Sequence, residues 1–176
     1  MDRRKHAMHC AIPIICACMV VGLAGAGLLV YRFRSEAPRR SMQELKDCYD
    51  QNKDQFERAA STIGMYPDIV VIAKTPFFDK LAHMYYYETA DGLHIETRGQ
   101  LSERSVHELS QSVAFILKNL KFLKIWVQSG DIHFIEGSSP GLARGIVYVP
   151  VGEKPADMYI TDLAEISDRW FSFAAR

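Results

Sequence analysis

Apolar residues fill one unbroken stretch near the start of the chain. Residues 11–31 contain no charged and no strongly polar side chain, and Lys or Arg residues stand on both sides. A helix of this length is about 31 Å long, which matches the hydrocarbon core of a bilayer. In lipid such a helix satisfies its backbone hydrogen bonds internally, whereas in water it would expose apolar surface on every side. The pattern predicts a transmembrane segment at 11–31 after a basic N-terminal tail at 1–10.

Two other interpretations of this stretch stay open. A cleaved secretory signal could use Ala24-Gly25-Ala26 as its cleavage site, although the apolar run continues to Tyr31. A lipoprotein anchor would use Cys18, but the apolar run after it would then have no role. An uncleaved single-pass anchor accounts for the whole stretch. Basic residues on both sides leave the orientation open, and the short basic tail favours a domain outside the cytoplasm.

A polar linker at 32–40 leads from the apolar stretch into a domain at 41–176. Ser41 and Glu44 have the spacing of a capping box, which predicts a helix start. Apolar residues then recur at three- and four-residue spacing, and Gly64 predicts the end of the helix. The stripe consists of Leu45, Cys48, Tyr49, Phe56, Ala59, Ala60 and Ile63.

The remainder of the domain alternates strand patterns with one further helix. Asp91-Gly92 predicts a hairpin turn between strands at 81–87 and 93–97. Ser105 and Glu108 form a second capping-box match before an apolar stripe that runs to Leu120. Further strands are predicted at 69–73, 122–127, 132–135, 145–151, 158–161 and 170–174. Most connections are too short for a parallel crossover, so we expect an α+β domain with two main helices and a largely antiparallel sheet.

Charge is distributed unevenly along a chain whose formal net charge is zero. Residues 1–40 carry seven Lys or Arg and two acids, a net charge of +5, which leaves −5 for residues 41–176. The basic flanks suit anionic lipid headgroups, so residues 11–31 are expected to contact the lipid bilayer. A mildly acidic domain without a basic run argues against nucleic-acid binding.

Cysteine usage predicts neither a disulfide-stapled fold nor a metal site. Three of the four cysteines lie in or beside the apolar stretch, and Cys48 stands alone in the domain. Cys16-x-Cys18 resembles half of a metal site, yet no histidine or acid stands near enough in sequence to complete it. We interpret both as small lipid-facing residues and Cys48 as a packing residue.

One segment matches the pattern of a serine nucleophile. Gly137-x-Ser139-x-Gly141 has the spacing of a nucleophile elbow, which requires a helix directly after the serine. Here Pro140 removes the following N–H, a strand is predicted next, and no histidine occurs after His133. The segment is therefore predicted to be a hairpin loop, and no catalytic residue is assigned.

The remaining histidines predict no metal or cofactor site either. His94-x-Glu96 would project two side chains from one strand face, but no third ligand is indicated, so an exposed polar face is expected. His107-Glu108 lies on a helix without the spacing of a zinc protease motif. His83 and His133 are interpreted as edge or core residues of apolar strands.

Aromatic residues are clustered in three short stretches. Tyr85, Tyr86 and Tyr87 are consecutive, Phe77-Phe78 precedes them, and Trp170, Phe171 and Phe173 stand near the C-terminus. Such rings could form an aromatic surface that binds a protein partner. The alternative is that they are buried in the sheet, because aromatic residues favour strands.

The C-terminal third and the first predicted helix contain a set of apolar and turn motifs. They are Gly145-Ile146-Val147-Tyr148, Lys154-Pro155, Ile160-x-x-Leu163, Ile166-x-Asp168-x-Trp170-Phe171 and Asn52-Lys53-x-x-Phe56-Glu57. Through these motifs, over about residues 45–63 and 113–173, the chain resembles a family of small uncharacterised bacterial proteins with an N-terminal hydrophobic segment. The resemblance implies a bacterial, membrane-anchored or exported protein and implies no activity.

Two functions are compatible with these patterns, and neither is enzymatic. The first is a single-pass membrane-anchored binding or envelope module with its domain outside the cytoplasm. The alternative is an immunity-like protein that neutralises a toxin, since such proteins are also small, acidic and α+β.

Overall fold

The computed structural model describes residues 40–76, 83–139, 142–156 and 159–175. The predicted tail, the membrane segment at 11–31 and nearly all of the linker lie outside these residues, as do Cys16, Cys18 and Phe77-Phe78. Within the described ranges no helix is both long and apolar enough to cross a bilayer.

The described residues form an α+β domain with three helices and an eight-stranded antiparallel sheet. The sheet order is β2-β3-β1-β4-β5-β6-β8-β7. The helices are α1 Met42–Gln51, α2 Lys53–Gly64 and α3 Glu103–Ala114, the last continued by a π-helical turn, Phe115–Asn119. The strands are β1 Ile69–Ala73, β2 Tyr85–Glu88, β3 His94–Thr97, β4 Lys124–Gln128, β5 Asp131–Ser139, β6 Leu142–Tyr148, β7 Ile160–Ser167 and β8 Trp170–Ala175.

The first predicted helix is two helices, separated at Asn52. The Ser41 capping box is present, since Ser41 N–H donates to the Glu44 carboxylate and Glu44 N–H donates to Ser41 Oγ. Asn52 leaves the helical region (φ −128°), and its side-chain amide donates to the Cys48 carbonyl at 2.9 Å. An asparagine side chain that donates to a backbone carbonyl one turn earlier competes with continuation of the helix. The prediction of a single helix was therefore wrong, although the apolar stripe and the end at Gly64 are confirmed.

The next helix begins earlier than the sequence indicated. Its N-cap is Ser102, whose Oγ accepts the Ser105 N–H at 3.1 Å, so Ser105 is the third helical residue and not the cap. The predicted apolar stripe is nevertheless confirmed, because Leu109, Val113 and Ile116 are fully buried. A cap shifted by one helical turn leaves the buried face unchanged, since that face depends on spacing and not on the first residue.

The helices pack on one face of the sheet around a cluster of aromatic rings. Trp170 of β8 lies with its ring centroid 4.9 Å from Tyr49 of α1 and 6.1 Å from Phe56 of α2. Phe56 in turn makes edge contacts with Phe122 at 5.7 Å and with Phe134 of β5 at 5.2 Å. We call these five rings the aromatic cluster. It joins α1, α2, β5, β8 and the segment before β4 in a single core.

Strand β6 is central, as its continuous apolar pattern predicted. It pairs with β5 on one side and with β8 on the other. Ile146 belongs to the core under the helices, whereas Val147 and Val149 belong to a second apolar cluster with Phe171 and Phe173. Because successive residues of a strand point to opposite faces, β6 has buried side chains on both.

An ion pair between half-buried Arg40 and buried Glu136 ties the segment before α1 to the sheet. Arg40 Nη1 lies 3.2 Å from Glu136 Oε1, and the Arg40 backbone N–H donates to Glu136 Oε2 at 3.1 Å. Arg40 Nη2 also donates to the Leu120 carbonyl at 3.0 Å, and the guanidinium lies 5.7 Å from the Phe122 ring centroid. The Glu136 side chain is 2% exposed and that of Arg40 is 27% exposed.

The buried stripe of α3 gives a direct test of the fold. We expect Leu109→Ala to lower the free energy of unfolding by about 2–4 kcal/mol, and Val113→Ala by less, because each leaves a cavity in the core. Urea unfolding of the detergent-solubilised protein, followed by tryptophan fluorescence, measures the change. Gln111→Ala, at an exposed position of the same helix, should change it by less than about 0.5 kcal/mol. Equal effects of Leu109→Ala and Gln111→Ala would contradict this packing.

The Arg40–Glu136 pair gives a second test, because its two members differ in burial. Arg40→Met leaves a buried carboxylate without its cation and should cost about 3–5 kcal/mol. The double variant Arg40→Met/Glu136→Gln removes both charges and should be more stable than Arg40→Met alone. The same urea unfolding measures both. A double variant less stable than Arg40→Met would show that the ion pair does not account for the effect.

Candidate functional site

The serine motif lies in a hairpin, as predicted, but Gly137 and Ser139 belong to strand β5 and not to the predicted loop. β5 runs through Ser139, β6 begins at Leu142, and the two residues pair with each other across the hairpin. A strand and not a helix therefore follows the serine. The Ser139 side chain, Pro140 and Gly141 lie outside the described residues.

His94 and Glu96 share one face of β3, but that face is not exposed. Glu96 is 1% exposed, and its cross-strand neighbours are Tyr86 of β2 and Val71 of β1. The prediction of an exposed polar face was wrong for Glu96, because β3 is an internal strand with a neighbour on each side. The described residues contain no group of three His, Cys, Asp or Glu that could hold a metal ion.

The other candidate residues, His133, His83 and Cys48, lie in the core or in a turn. His133 is 3% exposed and lies edge-on to Phe173 at 5.5 Å, which confirms a core histidine. His83 precedes β2 in a turn with φ +70° and is exposed, so its predicted strand position was wrong. Cys48 is buried in the stripe of α1, and burial raises the pKa of its thiol, which suits the predicted packing role.

The aromatic stretches separate into buried and exposed groups. Trp170, Phe171 and Phe173 are between 2% and 8% exposed, which confirms the alternative that they are buried in the sheet. Tyr85 is 45% exposed, while Tyr86 and Tyr87 are half-buried. An aromatic surface is therefore present at 85–87 and absent at 170–173.

This surface is at an edge of the sheet. β2 is the terminal strand of the sheet order and pairs with β3 from Tyr85↔Thr97 to Glu88↔His94. No other strand within the described ranges pairs with it. The outer N–H and C=O groups of an edge strand can pair with an added strand, which is how many proteins recognise extended peptides.

An apolar cleft adjoins β2, between the β2–β3 hairpin and α3. Its volume is about 390 Å³, and Tyr87, Leu101 and Val106 provide its apolar wall. Tyr87 Oη accepts the Leu101 backbone N–H at 2.8 Å, so the ring and the segment before α3 hold each other in place. The polar rim consists of Glu88, Thr89, Asp91, Glu103, His107 and Ser110. None of the described lining residues is Lys or Arg, so the rim favours a cationic group.

Asp91 fixes the hairpin turn against α3. Its carboxylate accepts hydrogen bonds from Lys118 Nζ and Ser110 Oγ, both at 3.1 Å. The hydrogen bond from Lys118, followed by that from Ser110, holds the pKa of Asp91 below its ordinary value. The predicted turn is confirmed here, since Gly92 has φ +70° and its N–H donates to the Thr89 carbonyl at 2.9 Å. The cleft therefore has a fixed wall on each side.

Comparison with known proteins adds no assignment. No protein-family model, no curated protein and no solved structure matches the chain. The resemblance to small bacterial proteins with an N-terminal hydrophobic segment stays a prediction.

The sequence anticipated the tyrosines but not the cleft beside them. Tyr87, Leu101 and Val106 are distant enough along the chain that no local pattern joins them. The signal that could have pointed to the site is the acidic and apolar composition of 87–107, which lies between a predicted hairpin and a predicted helix. This composition indicates a site only because the hairpin packs against α3.

Proposed function

We propose that this chain is a single-pass membrane protein whose α+β domain is a non-enzymatic binding module. Residues 11–31 anchor it in the bilayer, and the domain lies outside the cytoplasm. The observation that carries the binding role is the exposed tyrosine strand β2 beside an acidic-rimmed apolar cleft. A protein partner would add an extended segment to β2 and place a cationic or amphipathic side chain in the cleft.

Three features support this arrangement. β2 is short and lies at a sheet edge, where backbone groups can pair with a partner. Tyrosine is among the residues that dominate binding energy at interfaces, and Tyr85 is exposed beside the cleft. Glu88 and Glu103 on the rim agree in sign with the net charge of −5 carried by residues 41–176. Charge of one sign at a rim speeds association with an oppositely charged partner.

An immunity-like role is the second candidate, and the same acidic rim favours it. A protein that neutralises a basic toxin would use complementary charge around an apolar anchor site. The two roles differ in the partner and not in the site, so the identity of a cross-linked partner separates them. A toxin encoded by an adjacent gene would favour the immunity role.

The membrane anchor is the first part of the proposal to test. We expect the protein to stay in the membrane pellet after alkaline carbonate extraction and its mature chain to retain residues 11–31, because the apolar run continues through Tyr31. Mass spectrometry of the purified protein determines the N-terminus. Alkaline phosphatase fused after Arg176 should be active if the domain is extracytoplasmic. A mature chain that begins at Gly27 or Cys18 would contradict the uncleaved anchor.

The binding site is tested by photo-cross-linking in the native cells. A photoreactive phenylalanine analogue at Tyr85 should give a discrete adduct with a partner protein, because that ring is exposed on the edge strand. The matched control is the same analogue at Met65, which is 58% exposed at the end of α2. Glu88→Lys with Glu103→Lys should reduce the adduct at Tyr85, whereas Glu165→Lys on β7 should not.

Two results would contradict the binding site. Equal amounts of adduct from Tyr85 and Met65 would show that the partner is merely close to the domain and does not bind a specific surface. If the charge reversals leave the adducts unchanged, the acidic rim takes no part in the interaction.

A further inference from the structure

A second cavity lies where two internal strands of the sheet separate. β1 and β4 pair from Ala73↔Lys124 to Val71↔Trp126 and no further. Beyond that point β1 pairs only with β3, at Ile69↔Thr97, and β4 pairs only with β5, as far as Gln128↔Asp131. A cavity of about 550 Å³ occupies the fork between them. It shares no lining residue with the cleft beside β2.

The lining of this fork combines apolar, aromatic and polar groups with a single cation. Pro67, Val70, Trp126 and Val127 contribute apolar surface, Ile69 lies buried beneath them, and Arg98 contributes a guanidinium. Gln128, Ser129 and Gly130 complete the lining at the β4–β5 turn, and none of the described lining residues is acidic. A volume of several hundred Å³ lies in the range of small-molecule sites.

The backbone around Arg98 is held in place by a compact hydrogen-bond network. Arg98 N–H donates to the Asp68 carbonyl at 2.9 Å. Thr97 Oγ1 lies 3.0 Å from the same carbonyl and accepts the Gly99 N–H at 3.2 Å. A side chain at Gly99 would meet the Asp68 carboxylate, so glycine lets the two segments approach closely without moving that side chain. Arg98 is therefore presented from a fixed turn at the mouth of the fork.

The Arg98 side chain is exposed at the mouth of the fork. Within the ranges that the structure describes, it forms neither an ion pair nor a hydrogen bond. The hydrogen bond to Asp68 involves the main-chain N–H and fixes the turn, so it leaves the guanidinium available. A guanidinium presents two parallel N–H groups that match a carboxylate. Such a group at the mouth of a partly apolar cavity that contains an aromatic ring favours a ligand with one planar anion and an aromatic body.

The ring of Trp126 provides the complementary wall. The indole belongs to β4 and is half-buried, and Lys124 Nζ of the same strand lies 5.5 Å from its ring centroid. Aromatic rings of ligands pack favourably against such a face. We propose that the fork between β1 and β4 binds a small aromatic carboxylate, with its carboxylate on Arg98 and its ring against Trp126.

The proposal is independent of the protein-binding role and can be tested on the full chain in detergent micelles. ¹⁵N NMR would follow the two tryptophan indole N–H signals and the Gly130 amide during titration with benzoate and, separately, with benzamide. The two probes have the same ring, and only benzoate carries a charge. We expect benzoate to shift the Trp126 and Gly130 signals saturably and to bind about tenfold more tightly than benzamide. Trp170 is 3% exposed in the aromatic cluster, so its indole signal is an internal control and should stay constant.

Variants of Arg98 test whether this residue is the one that binds the ligand's carboxylate. Arg98→Gln should weaken benzoate binding about tenfold and leave benzamide unchanged, and Arg98→Lys should lie between, because lysine keeps the charge but not the paired donors. Arg104→Gln, at an exposed position of α3, should leave both affinities within about twofold. N-Acetylphenylalanine is titrated beside benzoate, since a peptide terminus offers the same carboxylate. Tighter binding of N-acetylphenylalanine assigns the site to a chain end, and tighter binding of benzoate to a free acid.

The wild-type protein alone can overturn the proposal. Equal affinities for benzoate and benzamide would show that Arg98 does not recognise the carboxylate. Shifts at Trp170 without shifts at Trp126 and Gly130 would place binding elsewhere. Absence of a saturable shift up to about 20 mM benzoate, an affinity weaker than about −2.3 kcal/mol, would show that the cavity takes no such ligand.

Discussion

The packing of the aromatic cluster is the constraint on which the rest of the domain depends. Each of its five rings comes from a different part of the chain, and Trp170 contacts Tyr49, Phe56 and Phe134 within about 6 Å. Tyr49 and Phe56 stand on either side of Asn52, so the separation of α1 from α2 lies between two rings of the same cluster. Because Trp170 begins the last strand, the core is incomplete until the C-terminal end of the chain has paired with β6.

The same constraint decides where surfaces remain for binding. The strands that contribute rings to the cluster, β5 and β8, have a neighbour on each side, whereas β2 forms one end of the sheet. The fork between β1 and β4 opens where their shared pairing stops at Val71↔Trp126. Both proposed binding surfaces therefore lie where strand pairing ends and backbone groups are available. One is acidic at its rim and the other presents a cation, so the ligands that we propose for them are opposite in charge.

Much of the local structure could be predicted from the sequence, because local structure depends on spacing. The stripe through Leu109 and the turn at Asp91-Gly92 follow from periods and turn chemistry that a short window contains. The break at Asn52 was missed because asparagine is tolerated inside helices and its bond to the Cys48 carbonyl is one of several options open to it. The burial of Glu96 was missed because it depends on which strands flank β3. The position of Arg98 at the fork depends on register between strands distant in sequence, and no local pattern specifies register.

The contacts of Arg40 show why arginine, and not lysine, suits the entry to the domain. Its side chain meets the Glu136 carboxylate, the Leu120 carbonyl and the Phe122 ring at once, while its carbonyl accepts from Arg144 Nη1 at 3.3 Å. A planar group with several donors can satisfy two oxygens and lie against a ring, whereas a lysine ammonium offers a single point of charge. Glu136 occupies the irregular position in the pairing of β5 with β6, between Ile135 and Gly137. A bulge redirects side chains relative to the alternation of a regular strand. The bulge at Glu136 and the donors of Arg40 therefore act together to fix Arg40 to the middle of the sheet.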